Sequence, residues 1–229
     1  MKGSIVYTDL GLLDYQAAWD YQVSLFDERV NRKLINRSLP AEEWIYPDNR
    51  LLFVEHPHVF TLGKSGDQHN LLINDDFLRS IKATYYHIDR GGDITYHGPG
   101  QIVGYPIFDL EQFGMHIKQY VHALEESIIL TLEHYGLHSA RLEGATGVWL
   151  DADSPKARKI CAIGVKASRH ITMHGFAFNV NTDLNYFKYI NPCGFQDKGV
   201  TSLQAELGSP QDMDKVKEIL RGNLVRLFS

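Results

Sequence analysis

Helices packed on a mostly antiparallel or mixed β-sheet, an α+β fold, is what this sequence of 229 residues predicts. Three observations lead there. Two long stretches and the C-terminal tail carry apolar residues at helical spacing. Several short β-rich runs follow one another with no helix between them. Neither an internal repeat nor a low-complexity segment interrupts this organisation, which favours strands and helices sharing one core. The chain is 44% hydrophobic and 22% charged, and it is long enough to bury that core without disulfides or a structural metal.

In chain order, residues 5–8 read as a short strand. Tyr15, Trp19, Val23, Phe26, Val30 and Leu34 recur in steps of three and four and predict a helix. Asp20, Asp27 and Lys33 fall on its opposite face. Pro40 and Pro47 bound a loop. Residues 51–56 and 59–62 are strand-like on either side of a turn at Pro57. Asn74 is a plausible N-cap for a short helix through Phe77 and Leu78 to Ile81. Residues 83–88 and 102–108 have strand character, with a glycine cluster between them. Ile117, Val121, Leu124, Ile128 and Leu132 line a second long helix, which Gly136 stops. Strands follow at 147–150, 159–165 and 171–180, and residues 213–228 close the chain as an amphipathic helix.

Lysine and arginine number 23 against 28 acidic residues, a net charge of −5, so the basic excess of a typical nucleic-acid binder is missing. The two cysteines, Cys161 and Cys193, form neither a disulfide framework nor a Cys-x-x-Cys pair. The first residues show no apolar secretory core, and no run is long enough to cross a bilayer. The expected address is the reducing, aqueous cytoplasm, and the expected organisation is a single catalytic domain over 1–229 with the last helix packed on it.

The densest segment runs Arg90-Gly91-Gly92-Asp93-Ile94-Thr95-Tyr96-His97-Gly98-Pro99-Gly100-Gln101. Glycines at this density mean that the backbone needs unusual angles or close approach, and they expose N–H groups able to hold a carbonyl or oxyanion. Two tight turns around a strand would use the glycines alone. The polar residues among them favour a ligand-binding loop, and His97 is placed there for hydrogen bonding or acid–base work. No Gly-Lys-Ser/Thr ending follows, so this is not a phosphate loop. Asn191-Pro192-Cys193-Gly194 reads as a turn, which makes Cys193 the candidate if either thiol is reactive, whereas Cys161 lies in an apolar strand and reads as structural. Lys159 fits both the solvated start of a strand and a side chain aimed into a site. The paired histidines of Glu55-His56-Pro57-His58 and His170-Ile171-Thr172-Met173-His174 lack a third ligand nearby, so no metal is expected.

The glycine-rich segment, followed by Tyr105-Pro106-Ile107, closely resembles the signature of the lipoyl(octanoyl) transferases, the LipB family. Glu55-His56-Pro57, Thr61-Leu62-Gly63-Lys64, Thr146-Gly147-Val148-Trp149, Arg158-Lys159-Ile160, His174-Gly175-Phe176-Ala177 and Pro192-Cys193-Gly194 match that family in order and spacing. The resemblance implies a biotin/lipoate protein ligase-like fold and no cofactor. It implies transfer of an octanoyl group from acyl carrier protein to a lysine of lipoyl domains, in the E2 subunits of 2-oxoacid dehydrogenases and the glycine cleavage H protein. It places a cysteine/lysine pair on Cys193 and Lys159, with acyl-binding positions at Arg90, Gly91, Gly92, Asp93, Ile94, Thr95, Tyr96 and His97, at Ala162, Ile163 and Gly164, and at Gly175, Phe176 and Ala177.

That chemistry is self-consistent. A thioester donor stores its own energy, a Cys193 thiolate can take the acyl group by exchange, and Lys159 can favour the thiolate and then accept a proton. Ile163, Phe176 and Phe178 are expected to line an alkyl slot. Lys156, Arg158, Lys166 and Arg169 form a candidate docking patch for an acidic carrier, or else a solvated charged loop. The rival readings are an ATP-dependent lipoate or biotin protein ligase, and a non-catalytic acyl-binding module.

Overall fold

The computed structural model describes residues 4–191 and 198–229. Its first strand, β1 (Ile5–Leu12), runs four residues beyond the span expected from the sequence. Helix α1 (Tyr15–Asn36) starts at Asp14, whose carboxylate accepts from the N–H groups of Gln16 and Ala17. The apolar stripe predicted for α1 is rotated in the structure. Tyr15, Ala18, Gln22, Leu25, Phe26 and Arg29 are buried, whereas Val23 and Leu34 are exposed. Polar groups account for the difference. Arg29 is buried because its guanidinium donates to the carbonyls of Leu25 and Asp48, and Gln22 because its Oε1 accepts from the His174 N–H. Lys33, assigned to the solvent face, instead pairs with Asp109 at 2.6 Å and Glu111 at 2.9 Å.

Strands β2 (Asn49–Glu55) and β3 (Val59–Leu62) flank Pro57 as expected, but they enter different sheets. Helix α2 (Asp75–Ser80) is capped by Asn74, and β4 (Thr84–His87) follows. The glycine cluster contains β5 (Ile94–His97) and leads into β6 (Gln101–Ile107). Helix α3 (Ile117–His134) buries Leu124, Ile128 and Leu132 and ends before Gly136, whose φ of 73° is the left-handed turn that a helix stop requires. Next come β7 (Ala140–Leu142), β8 (Ala145–Leu150), β9 (Arg158–Ser168), β10 (Ile171–Asn179) and β11 (Gly199–Val200). Two helices, α4 (Leu203–Leu207) and α5 (Met213–Leu227), complete the described chain. The brief β7, β11 and α4 are too short to leave a periodic signal.

The large sheet has the order β1-β2-β6-β10-β9-β8-β7, with β11 beside β9. It is mixed: β1–β2 and β11–β9 are parallel and the other pairs are antiparallel. Alternation sends Leu51, Phe53 and Ile102 to one face, against α3 and α5, and Leu52, Val54 and Val103 to the other, against α1. On the first face Val216, Leu220 and Leu224 of α5 pack with Leu124, Ile128 and Leu132 of α3. A small sheet, β4-β3-β5, carries its own cluster around Phe60, Leu62, Ile94 and Tyr96. Among the described residues no helix is long and apolar enough to cross a membrane.

Candidate active site

Between the glycine segment of the small sheet and strands β9 and β10 lies a cavity of about 550 Å³. Its walls include residues 90–95, His97, Lys159, residues 162–164 and residues 175–177. One pocket thus gathers candidates spread over nearly ninety positions of sequence, leaving aside Tyr96 and Cys193. Tyr96 lies on the other face of β5 from Thr95 and His97. There it is fully buried, stacked on Tyr186 at 4.8 Å, and hydrogen-bonded through its hydroxyl to His58 Nδ1. It builds the small sheet's core instead of the pocket. Cys193 lies outside the described residues. Phe178, expected in the slot with Phe176, is buried in the core beneath α3 and α5, while Phe176 reaches the cavity wall.

Arg90 organises the loop. Its Nη2 donates to the Thr61 carbonyl at 2.6 Å and to Thr61 Oγ1 at 3.0 Å, tying the segment to β3. Gly91 N–H donates to the Val165 carbonyl of β9 at 3.0 Å. The approach at that point is so close that a Cβ on Gly164 would sit 2.7 Å from the Gly91 oxygen.

His97 is buried within a connected set of polar groups. Gln101 Nε2 donates to the Tyr96 carbonyl and to Asn179 Oδ1, so Gln101 presents Oε1 to His97. His97 Nδ1 therefore carries the proton and donates at 2.8 Å. Its Nε2 is left as an acceptor, with Thr61 Oγ1 at 3.5 Å. Asn179 Nδ2 in turn donates to the Thr201 carbonyl, and Thr201 N–H to the Lys159 carbonyl. Burial pushes the His97 pKa down to about 3, helped by neighbouring His56. His56 is buried beside it, donating from Nδ1 to the Leu13 carbonyl and accepting at Nε2 from the Tyr105 hydroxyl. Burial lowers its pKa to about 4. Among the described residues no group of three or more His, Cys, Asp or Glu is placed to hold a metal.

Lys159, near the start of β9, turns into the cavity, and its Nζ lies 4.7 Å from the centre of the Trp149 ring. Of the two environments open to it on sequence, a solvated strand end and a side chain turned inward, it has the second. Cys161 is fully buried, and desolvation pushes its thiol well above the ordinary range, as a structural cysteine requires. Two of the candidate basic residues are spread along β9 and ion-paired. Arg158 and Lys166 stand eight residues apart on one strand, about 26 Å at the usual rise. Arg158 is held by Glu206 and Asp151, and Lys166 by Asp89.

Residues that sequence reasoning did not assign also line the cavity: Tyr15, Tyr105, Trp149, His174 and Asn179. Trp149 and His174 stand inside segments that carried the family resemblance and could have been taken from there. Tyr15 came forward only as a helix-face residue. Asn179 has no local signal, because its role depends on β10 lying beside β6.

Residues 14–224 match the model of the lipoyl protein ligase A/B catalytic domain. An octanoyltransferase of Flavobacterium johnsoniae is 58% identical over 230 residues, covering 100% of this chain and 98% of its own. Among solved structures, a bi-partite lipoate protein ligase from Thermoplasma acidophilum superposes with a TM-score of 0.67 at 18% identity, covering 99% of this chain and 84% of its own. The biotin protein ligase of Aquifex aeolicus gives a TM-score of 0.54 at 12% identity, covering 98% and 70%. These likenesses show the biotin/lipoate protein ligase-like fold. With its sequence matched almost from end to end, the chain belongs to the lipoyl protein ligase A/B catalytic domain family.

Proposed function

We infer that this protein is an octanoyltransferase of protein lipoylation, an acyltransferase that places an octanoyl group on a lysine amine. The observation that carries the reading is the joining of one largely apolar cavity, of about 550 Å³, to the Lys159 amine on its wall. Burying a seven-carbon tail there is worth about 6 kcal/mol at roughly 0.8 kcal/mol per carbon.

In the proposed course, the Cys193 thiolate attacks the acyl carbonyl of octanoyl-acyl carrier protein. The carrier thiolate leaves and takes the proton of the Lys159 ammonium, so that an acyl-enzyme thioester and a neutral Lys159 remain. The amine of the acceptor lysine then attacks that thioester. Lys159, in its neutral form, accepts the amine's proton, and the Cys193 thiolate departs. Lys198, Gly199 and Val200, which follow Cys193 closely in sequence, line the cavity and support this assignment. His97 stays neutral and donates to Gln101, so its part is to position the acyl carbonyl's surroundings and not to supply a cation. The proposed acceptors are lipoyl domains of 2-oxoacid dehydrogenase E2 subunits and the glycine cleavage H protein, and the proposed address is the cytoplasm. The chain is proposed to act as one catalytic domain.

Intact mass spectrometry tests the scheme. Octanoyl-carrier protein alone should leave one octanoyl group on the enzyme without ATP, and an apo lipoyl domain should then remove it. Strict dependence on ATP would replace this reading with a ligase. Transfer without a covalent enzyme adduct would remove the Cys193 step.

A further inference from the structure

We propose that Asp89, His174 and Lys166 form a clamp that fixes the glycine-rich wall of the acyl slot against its floor, and so sets the fit of the acyl chain. The proposal rests on the acyl-transfer reading for its consequence, though not for its geometry. The wall belongs to the small sheet: Lys64 N–H bonds the Arg90 carbonyl, Ser65 N–H that of Gly92, and Gly63 N–H that of Asp93. The floor belongs to the large sheet, through β9 and β10. A slot built from two sheets keeps its width only if something ties them together.

The tie converges on one rung. Val165 of β9 pairs with His174 of β10. The Val165 carbonyl accepts from Gly91 N–H, and the neighbouring Lys166 reaches Asp89 Oδ2 at 2.5 Å. His174 Nε2 lies 3.0 Å from Asp89 Oδ1 and donates to it. Asp89 immediately precedes the glycine loop, so a carboxylate held at both oxygens anchors the loop where it begins. Neither Asp89 nor Lys166 lines the cavity, whereas His174 does and is 2% exposed.

The backbone of His174 supports a built-in role. Its φ is 61°, a left-handed conformation in mid-strand that a residue with a Cβ adopts only at a cost. Gln22 Oε1, from α1, accepts the His174 N–H at 3.1 Å and holds that conformation from behind. The strained backbone delivers the ring to Asp89. These are positioning residues, acting through the loop they brace.

The experiment compares wild type with Asp89→Ala, Asp89→Asn and Lys166→Met, each checked for folding by thermal melting. Amide exchange at Gly91 and Gly92 should quicken about tenfold or more in Asp89→Ala. With a small octanoyl thioester as donor, KM should rise about tenfold and kcat fall less than about threefold. The preference for octanoyl over decanoyl thioester should shrink. Asp89→Asn, which can still accept from His174, should recover most of the loss, and Lys166→Met should show a weaker version of it. Unchanged exchange in Asp89→Ala would overturn the clamp. So would a fall in kcat at constant KM, or unaltered chain-length preference. If wild type transfers no octanoyl group, the transferase reading fails by itself, and the exchange measurement still upholds or overturns the clamp.

Discussion

Lys159 holds its Nζ 4.7 Å from the centre of the Trp149 ring, so the ammonium rests on a π face inside the cavity wall. Trp149 is itself fixed, donating from Nε1 to the Ala145 carbonyl at 2.9 Å. The aromatic face favours the charged form of the lysine. Two substitutions separate the duties proposed for this lysine. Lys159→Ala should slow alkylation of Cys193 at neutral pH and form little acyl-enzyme. Lys159→Arg keeps the charge but cannot readily act as base, so it should accumulate acyl-enzyme and stall when the lipoyl domain is added. Mass spectrometry times the two steps separately. An arginine variant that completes transfer at the wild-type rate would refute a base at this position.

Trp149→Phe keeps a ring but weakens the cation–π contact, which is worth about 0.5–2 kcal/mol. Transfer by this variant should fall about threefold to tenfold, with acyl-enzyme formation affected at least as much as the second step. A variant as fast as wild type would mean that the ring merely fills space.

Buried neutral histidines predict an acid-sensitive fold. The His97 pKa is pushed down to about 3 and that of His56 to about 4, against 6.5 when exposed. Between those values and 6.5 the unfolded chain binds protons that the native rings refuse. The stabilising contribution is therefore whole above pH 6.5, and it is lost as pH falls through that window toward the folded values. Each ring contributes a slope of up to about 1.4 kcal/mol per pH unit. Urea melts at pH 7, 5.5 and 4.5 should show the decline, and His97→Gln should flatten it. A slope that is identical in the variant would mean that His97 is protonated in the native protein.

The long helices and most strands could be read from periodicity because their residues face a core at fixed spacing. The stripe of α1 was misplaced because Gln22 and Arg29 are buried for hydrogen-bonding reasons that a hydrophobic pattern does not register. The separation of β2 and β3 into two sheets depends on partners far away in sequence, β6 for one and β4 and β5 for the other. At the site, glycine density and polar residues marked the loop, and family resemblance marked the strands opposite. Tyr96 was assigned with its neighbours because a continuous motif does not show which way each side chain of β5 points. The brace from Asp89 to His174 joins positions 85 residues apart and has no local signature.

Cys161 is fully buried with its thiol pushed up by desolvation, so it should resist modification in the native state. A disulfide exchange reagent at pH 8 should label one cysteine, Cys193, in native protein and both in denaturant. Cys161→Ser should cost stability while leaving acyl-enzyme formation intact, and Cys193→Ala should abolish it. Rapid native labelling at Cys161 would contradict the packed core seen here.

The close approach of Gly164 to the glycine loop should be intolerant of a single methyl. A Cβ there would meet the Gly91 oxygen at 2.7 Å and Arg90 Cδ at 3.2 Å. To make room, the loop must move away from β9, stretching the Gly91 to Val165 hydrogen bond and displacing the wall that Arg90 supports. Gly164→Ala should therefore cost about 1–3 kcal/mol in stability and at least tenfold in octanoyl transfer. Gly136→Ala supplies the contrast. Its φ is 73° and nothing lies within 4 Å of the added Cβ, so only the left-handed backbone objects. That variant should lose about 1 kcal/mol of stability and keep its transfer rate. Equal losses of activity in the two would show that general destabilisation, and not displacement of the loop, limits transfer.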